Sequence, residues 1–217
     1  MKFYDCKTAP SPRRLRIFLA EKSIEMPTVE VDLAHGEQLS DAFRKMNPYC
    51  TVPVLELDDG SCITECFAIC QYLEDTYPEP RLLGRDAKER ALVTMWNTRI
   101  ENTGLGAIAE AFRNKAKGFN GRALTGAVNF EQIPDLVARG RMRAEIFLRE
   151  LDEQLAGRDY VAGDVFTVAD ITAVVAVDFA GWIKLPIPGN ADSLRRWHEQ
   201  VSSRPSMLAQ ESARWKV

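Results

Sequence analysis

The sequence predicts an α+β fold. A small β-α-β-α-β-β-α domain over residues 1–77 leads, through a linker at 78–86, into an all-helical domain over 87–217. Three observations carry this. Strand and helix patterns alternate as far as Tyr77, and strand patterns then cease. The stretch "YPEPRLLGR" holds two prolines and a glycine in nine residues, which breaks any helix and marks a connection. Beyond it, apolar residues recur at helical spacing.

Taken in order, "MKFYDC" is a short strand, and "PSPRRLRIFLAEKS" a helix with Leu15, Phe18 and Leu19 on one side. "PTVEVDLA" alternates as a half-buried strand does, and "DAFRKMNP" is a short helix stopped by Pro48. "VPVLELDDGSCIT" reads as two strands joined at Asp58-Asp59-Gly60, a hairpin signal. "ECFAICQYLEDTY" is a helix sharing Phe67, Cys70 and Leu73 on one side. In the second domain, "AKERALVTMWNTRIENTGLGAIAEAFRNKA" is helical, with Gly104 and Gly106 weakening its middle. "GFNGRALTGAVNF" is an irregular connection, and "RMRAEIFLRELDEQLAG" a helix with Gly157 as its C′ stop. "FTVADITAVVAVDFAGW" opens with Thr167 as N-cap and Asp170 at N3, a capping box, and is apolar nearly all round. It is therefore expected to be a buried central helix, with Asp170 structural. "SLRRWHEQVSSR" forms a last helix before Pro205.

A chain of 217 residues with 46% hydrophobic and 27% charged residues has the composition of a soluble globular protein and buries a core unaided. A net charge of -3 argues against a nucleic-acid partner. No apolar run approaches the roughly 18 residues that span a bilayer, so no membrane association is expected. The N-terminal residues lack the apolar core of a secretory signal, and a cytoplasmic setting is expected. Five cysteines, Cys6, Cys50, Cys62, Cys66 and Cys70, read as reduced thiols without a C-x-x-C pair. With only His35 and His198 as histidines, both distant in sequence, no metal site is expected.

"NPYCTVPVLEL" has the apolar run of a strand but is interrupted by Pro53, which has no N–H for a ladder. Taken alone, Pro53 fits an edge strand. A cis bond at Val52-Pro53 would instead pull Val52 out of the sheet and leave its N–H and C=O for an extended peptide. The wider order distinguishes these readings. Strand, helix, strand, helix, Val-Pro, hairpin, Glu-x at a helix start, linker and helical bundle together resemble the cytosolic glutathione S-transferase family. The resemblance spans essentially the whole chain. It is carried by "NPYCTVPVLELDDGSCITECFAICQYLE" and "FTVADITA", with weaker support from "LRRWHEQVSSRPS".

The resemblance implies a thioredoxin-like first domain that binds glutathione as co-substrate. Val52, before Pro53, would pair with the cysteinyl unit, and Glu65 would hold the γ-glutamyl ammonium. The adjoining α-carboxylate would sit at the helix N-terminus beginning at Cys66. Cys66 stands where the family has serine, and a thiol donates a weaker hydrogen bond. Cys50 is a second departure, standing where many relatives have glycine. Gln38, Lys45 and His35 are the candidates for the glycyl carboxylate.

Thiol activation falls to the start of the first helix, "CKTAPSPRRLR". Here Ser11, before Pro12, is the expected N-cap and first choice, and Thr8 the second. Arg13 and Arg14 add positive charge or are simply solvated. The second substrate would lie against the helix carrying Trp96, Arg99 and Ile100, with Phe112 a further candidate. The expected function is transfer of the glutathione thiolate to apolar electrophiles by a homodimer. Glutathione-dependent disulfide reduction, or a non-catalytic module retaining the fold, are the alternatives.

Overall fold

β1 (Lys2–Asp5) lies between β2 (Thr28–Glu30), parallel to it, and β3 (Val54–Glu56), antiparallel; β4 (Cys62–Thr64) pairs antiparallel with β3. This computed structural model describes residues 1–208. One unit comprises Met1–Pro80 with Thr125–Asn129, and a second comprises Arg81–Leu124 with 130–208. In the first unit, α1 (Pro10–Glu21) follows β1, α2 (Asp41–Met46) follows β2, and α3 (Cys66–Thr76) follows β4. The predicted order β-α-β-α-β-β-α holds throughout.

β2 differs from its expected half-buried alternation, since all three of its residues are exposed. It is an edge strand paired with β1 alone, and burial resumes only at Val31, whose N–H donates to Asp5 O at 2.7 Å. The hairpin closes at Gly60 with φ 85, a conformation glycine adopts freely. α2 is capped by Ser40, whose side chain accepts from the Phe43 N–H. α3 buries Cys66, Ile69, Cys70 and Leu73, while Phe67 is half-buried.

Lys22, just past α1, is buried, and its ammonium faces Glu74 Oε2 at 2.7 Å. It also donates to Tyr77 O (2.7 Å) and Pro80 O (2.8 Å), tying the chain after α3 to the end of α1. A buried lysine is stable only when its charge and its protons are satisfied together, and here three acceptors do so.

In the second unit the expected long helix is two: α4 (Ala87–Arg99) and α5 (Gly106–Arg113), joined by a π-helical turn at Ile100–Leu105. The side chains of Asn102 and Thr103 donate to Thr98 O and Arg99 O, satisfying carbonyls in the wider turn. Glycines set close packing against α6 (Asp135–Gln154). A Cβ on Gly140 would meet Ala107 O at 2.7 Å, and one on Gly104 would meet the Phe147 ring at 2.8 Å. α6 begins earlier than expected. Its C-cap is Leu155, so Gly157 (φ 69) lies two residues beyond the cap rather than at C′.

α7 (Val168–Ala180) is buried along nearly its whole length, as expected. α8 (Asp192–Ser202) is followed by a short turn of helix, α9 (Pro205–Leu208). Among the described residues no helix is long and apolar enough to cross a membrane.

The capping box is present. Thr167 Oγ1 accepts from the Ala169 N–H, and Asp170 Oδ2 accepts from the Thr167 N–H. Asp170 Oδ1 also accepts from Val161 N–H and Trp197 Nε1 (2.9 and 3.0 Å). Asp170 is therefore structural. Burial pushes its carboxyl up to about 6 against these donors.

These buried charges generate two stability predictions. Lys22→Met removes the cation facing Glu74 and is expected to cost about 3 kcal/mol in urea denaturation. Because Asp170 titrates higher when folded than the roughly 3.9 of an unfolded aspartate, it favours the folded state below about pH 4. That contribution is lost as pH rises through about 6. Asp170→Asn is expected to abolish this component, so wild-type-minus-variant stability falls across that window.

Candidate functional site

Strand register gathers the candidate residues at one end of the first sheet. Tyr4 pairs with Val54, and Val54 with Thr64. One further step in the same register lines up Asp5, Pro53 and Glu65, where β1 leaves for α1, the chain enters β3, and β4 leaves for α3. β2 is parallel to β1, so the turn at Glu37–Leu39 carrying Gln38 also follows from this end. Thr8, Ser11, Gln38, Val52, Pro53, Glu65 and Cys66 all lie on segments that emerge here.

The loop before β3 is built by Asn47, fully buried. Its Oδ1 accepts from the Tyr49 N–H (3.0 Å), and its Nδ2 donates to Thr51 O (2.9 Å) and Thr51 Oγ1 (3.1 Å). Inside that loop Cys50 has φ 55. This explains why glycine suits the position: the left-handed region is costly for a residue with a Cβ. The buried Cys50 side chain, with Sγ 3.7 Å from Pro48 O, accompanies the strained backbone.

The Val52-Pro53 peptide bond is cis. β3 begins only at Val54. The Val52 side chain packs on Val31, Phe43 and Val54, while its N–H and C=O make no hydrogen bond to another described residue. An anchored side chain with an open backbone is the arrangement an added strand needs.

Glu65 caps α3 with φ 68 and ψ 118, outside even the left-handed helical well. Such a backbone costs about 1–3 kcal/mol and persists where its surroundings fix it. The Glu65 carboxylate is exposed and has no hydrogen bond or ion pair with another described residue. Behind it the first turn of α3 presents backbone N–H groups and the positive end of the helix dipole. A carboxylate beside an amide-rich helix start fits an amino acid's ammonium and carboxylate together. Cys66 is buried and is the first residue of α3.

The loop from β1 to α1 is held by Arg16. It pairs with Asp5 Oδ1 at 2.6 Å and donates to Cys6 O and Lys7 O. Asp5 is buried, and burial pushes its carboxyl above the ordinary range although Arg16 pulls it down. Ser11 is not the N-cap. α1 begins at Pro10, and Ala9 is the N-cap, because Pro10 itself meets the N1 preference and the Ala9 N–H closes a turn on Cys6 O. Ser11 stands at N2 between prolines that lack N–H groups, and the Arg13 N–H already donates to Ala9 O (3.4 Å). The Ser11 N–H is thus the donor the first turn has to offer. The Ser11 hydroxyl accepts from Arg14 Nη2 at 3.0 Å. Arg14 is buried, contrary to a solvated role. The Thr8 hydroxyl lies 3.3 Å from Cys6 Sγ, so it already has a local partner.

Gln38 is half-buried, and its Oε1 is without a partner among the described residues. Lys45 is exposed in the last turn of α2. His35 is engaged by Asp32 at 2.6 Å. On α4 the Arg99 guanidinium lies 5.2 Å from the centre of the Trp96 ring, with Trp96 half-buried and Arg99 exposed. Ile100 and Phe112 are core residues, not pocket walls. Phe112 stacks edge-on with Phe119, Phe179 and Trp182 at 5.3–5.8 Å. Among the described residues no cluster of three metal-ligating side chains exists. Sequence reasoning missed Asn47 and Arg16. Asn47-Pro48 is a turn signal that points to the first, whereas Arg16 looks like any other helix-surface arginine.

Residues 8–76 match the glutathione S-transferase N-terminal domain family, and residues 135–205 match the glutathione S-transferase C-terminal domain family. Glutathione S-transferase 2 of Saccharomyces cerevisiae is 36% identical over 95% of this chain and 88% of its own length. Maleylacetoacetate isomerase of Rattus norvegicus is 44% identical over 84 residues, 38% of each protein. Two crystal structures superpose closely. A glutathione S-transferase domain-containing protein of Marinobacter aquaeolei has a TM-score of 0.89 at 40% identity, covering 95% of this chain and 100% of that one. Gtt2 of Saccharomyces cerevisiae has a TM-score of 0.88 at 35% identity, covering 97% and 100%.

The backbone at Glu65 supplies a direct test. Relief of about 1–3 kcal/mol of strain exceeds the roughly 0.5–1 kcal/mol that glycine loses in the unfolded chain. Glu65→Gly is therefore expected to raise stability in urea by about 1 kcal/mol.

Proposed function

Because the chain belongs to the glutathione S-transferase family and takes glutathione as co-substrate, we propose that it transfers the glutathione thiolate to apolar electrophiles. The observation that carries the reading is the open backbone of Val52 next to Pro53, which the strand register sets opposite Glu65 at the start of α3. Val52 N–H and C=O pair with the cysteinyl unit beside Pro53. The Glu65 carboxylate holds the γ-glutamyl ammonium, and the N–H groups from Cys66 onward hold the adjoining carboxylate. Losing a serine hydroxyl at residue 66 removes about 0.5–1.5 kcal/mol and leaves those backbone donors in place. Gln38, through its Nε2 donor, and Lys45 remain the two candidates for the glycyl carboxylate.

Ser11 activates the thiol through its N–H and hydroxyl. Thr8 is the weaker candidate because Cys6 occupies its hydroxyl. The thiol proton leaves to solvent. The thiolate pair forms a C–S bond to the electrophilic carbon, and in substitution the leaving group departs with its bonding pair. The second substrate is an apolar electrophile for which Trp96 and Arg99 remain the proposed contacts. The reading extends to a homodimer in the cytoplasm, and the five free cysteines fit a reducing compartment.

Calorimetric titration with glutathione tests the core of this reading, and no binding at millimolar concentration ends it. Assays with a chlorinated nitrobenzene and with a small alkyl disulfide separate transfer from disulfide reduction. Transfer is expected to dominate. Glu65→Gln is expected to raise the KM for glutathione by about tenfold with little change in kcat, since it removes a charged contact made in ground and transition states alike. Ser11→Ala is expected to lower kcat by about tenfold with KM nearly unchanged.

A further inference from the structure

We propose that Arg14 is a positioning residue for the reaction, acting through the Ser11 hydroxyl; the inference rests on the transferase reading above. Arg14 is buried at 6% exposure, and its Nη2 donates to Ser11 Oγ at 3.0 Å. A guanidinium has donors only and stays protonated at any working pH, so it fixes that serine oxygen as an acceptor. The hydroxyl's single proton must then point elsewhere. Three nearby chain carbonyls are already engaged: Cys6 O by the Ala9 N–H and Arg16, Lys7 O by Arg16, and Ala9 O by the Arg13 N–H. The Thr8 hydroxyl is taken up with Cys6 Sγ.

The Ser11 proton is free to turn outward, beside the Ser11 N–H, since among the described residues no acceptor takes it. A thiolate is an acceptor it can meet there. Donation from a cation into the serine oxygen also polarises the O–H bond and strengthens it as a donor. Other charges around the start of α1 do not replace this effect. Arg16 is matched by Asp5 of β1, and Glu65 contributes a negative charge at the start of α3. Arg13 adds positive charge in the same turn, and Glu30 of β2 accepts from the Lys7 N–H.

The test is the ultraviolet thiolate absorbance of bound glutathione titrated against pH, alongside steady-state kinetics. It uses wild type, Arg14→Met, Arg14→Gln, Ser11→Ala and the Arg14→Met/Ser11→Ala double variant. Arg14→Met is expected to raise the bound thiol's pKa by about one unit and lower kcat by about tenfold, with the KM for glutathione changed less than about twofold. In the Ser11→Ala background Arg14→Met is expected to add nothing, because its effect passes through the missing hydroxyl. Equal loss in both backgrounds, or a fall in kcat with the thiol's pKa unmoved, overturns the proposal. If Arg14→Met does not fold, Arg14→Gln carries the test: it keeps a donor but loses the charge, and an unshifted thiol pKa overturns the proposal there too. A wild type that does not bind glutathione overturns the transferase reading itself, a result distinct from an unmoved pKa in a glutathione-binding variant.

Discussion

Tyr4, Val54 and Thr64 lie abreast across three strands, and the rest of the site depends on that register. A one-residue slip of β3 would turn Val54 and the packed Val52 side chain toward the opposite face, and with them the exposed backbone beside Pro53. It would also move Glu65 out of line with both. The register is held from below by Val31, Phe43 and Val54, a small apolar cluster with no tolerance for a polar face. Packing and recognition are therefore one constraint: the side chain of Val52 is spent on the core, and its main chain is what remains for a ligand.

Around this frame lie two of the four non-glycine residues with positive φ among the described residues, Ser23 and Lys184 being the others. Cys50 and Glu65 both have positive φ although neither is glycine, and they flank the segment that enters and leaves β3 and β4. Buried Asn47 spans one of them with three hydrogen bonds. At the other, a helix starts directly from the strained residue, so the carboxylate and the first helical amides are presented together. Across the sheet, Arg16 performs for the first loop what Asn47 performs for the second. Buried Asn47 and partly buried Arg16 hold the two loops in place.

The fold was legible because its signals are local. The Asp58-Asp59-Gly60 hairpin and the Thr167/Asp170 box each act over a few residues and appear where expected, whereas the alternation read at β2 does not. Val52, Pro53 and Glu65 were read as a spaced set through the family resemblance rather than from local pattern. The illegible part required knowing which way a side chain turns. Arg14 and Arg16 are two residues apart in an arginine-rich stretch, yet one bonds Ser11 and the other Asp5. Ile100 and Phe112 have the helical positions of pocket residues and are instead buried in the core, and helical spacing alone does not say which face of the helix is covered. The start of α1 was displaced by two residues, from Ser11 to Ala9 as N-cap, since either Pro10 or Pro12 satisfies the same preference.

Lys22 has a chemical consequence of its own. Its nitrogen is sealed from solvent by one carboxylate and two main-chain oxygens, whereas Lys7 and Lys45 stand in water. An amine-selective acylating reagent therefore meets Lys22 only during the moments when the end of α1 parts from the chain beyond α3. The rate at which that amine is capped counts those partings, and so gives the first unit a clock for its own opening, independent of any catalytic readout.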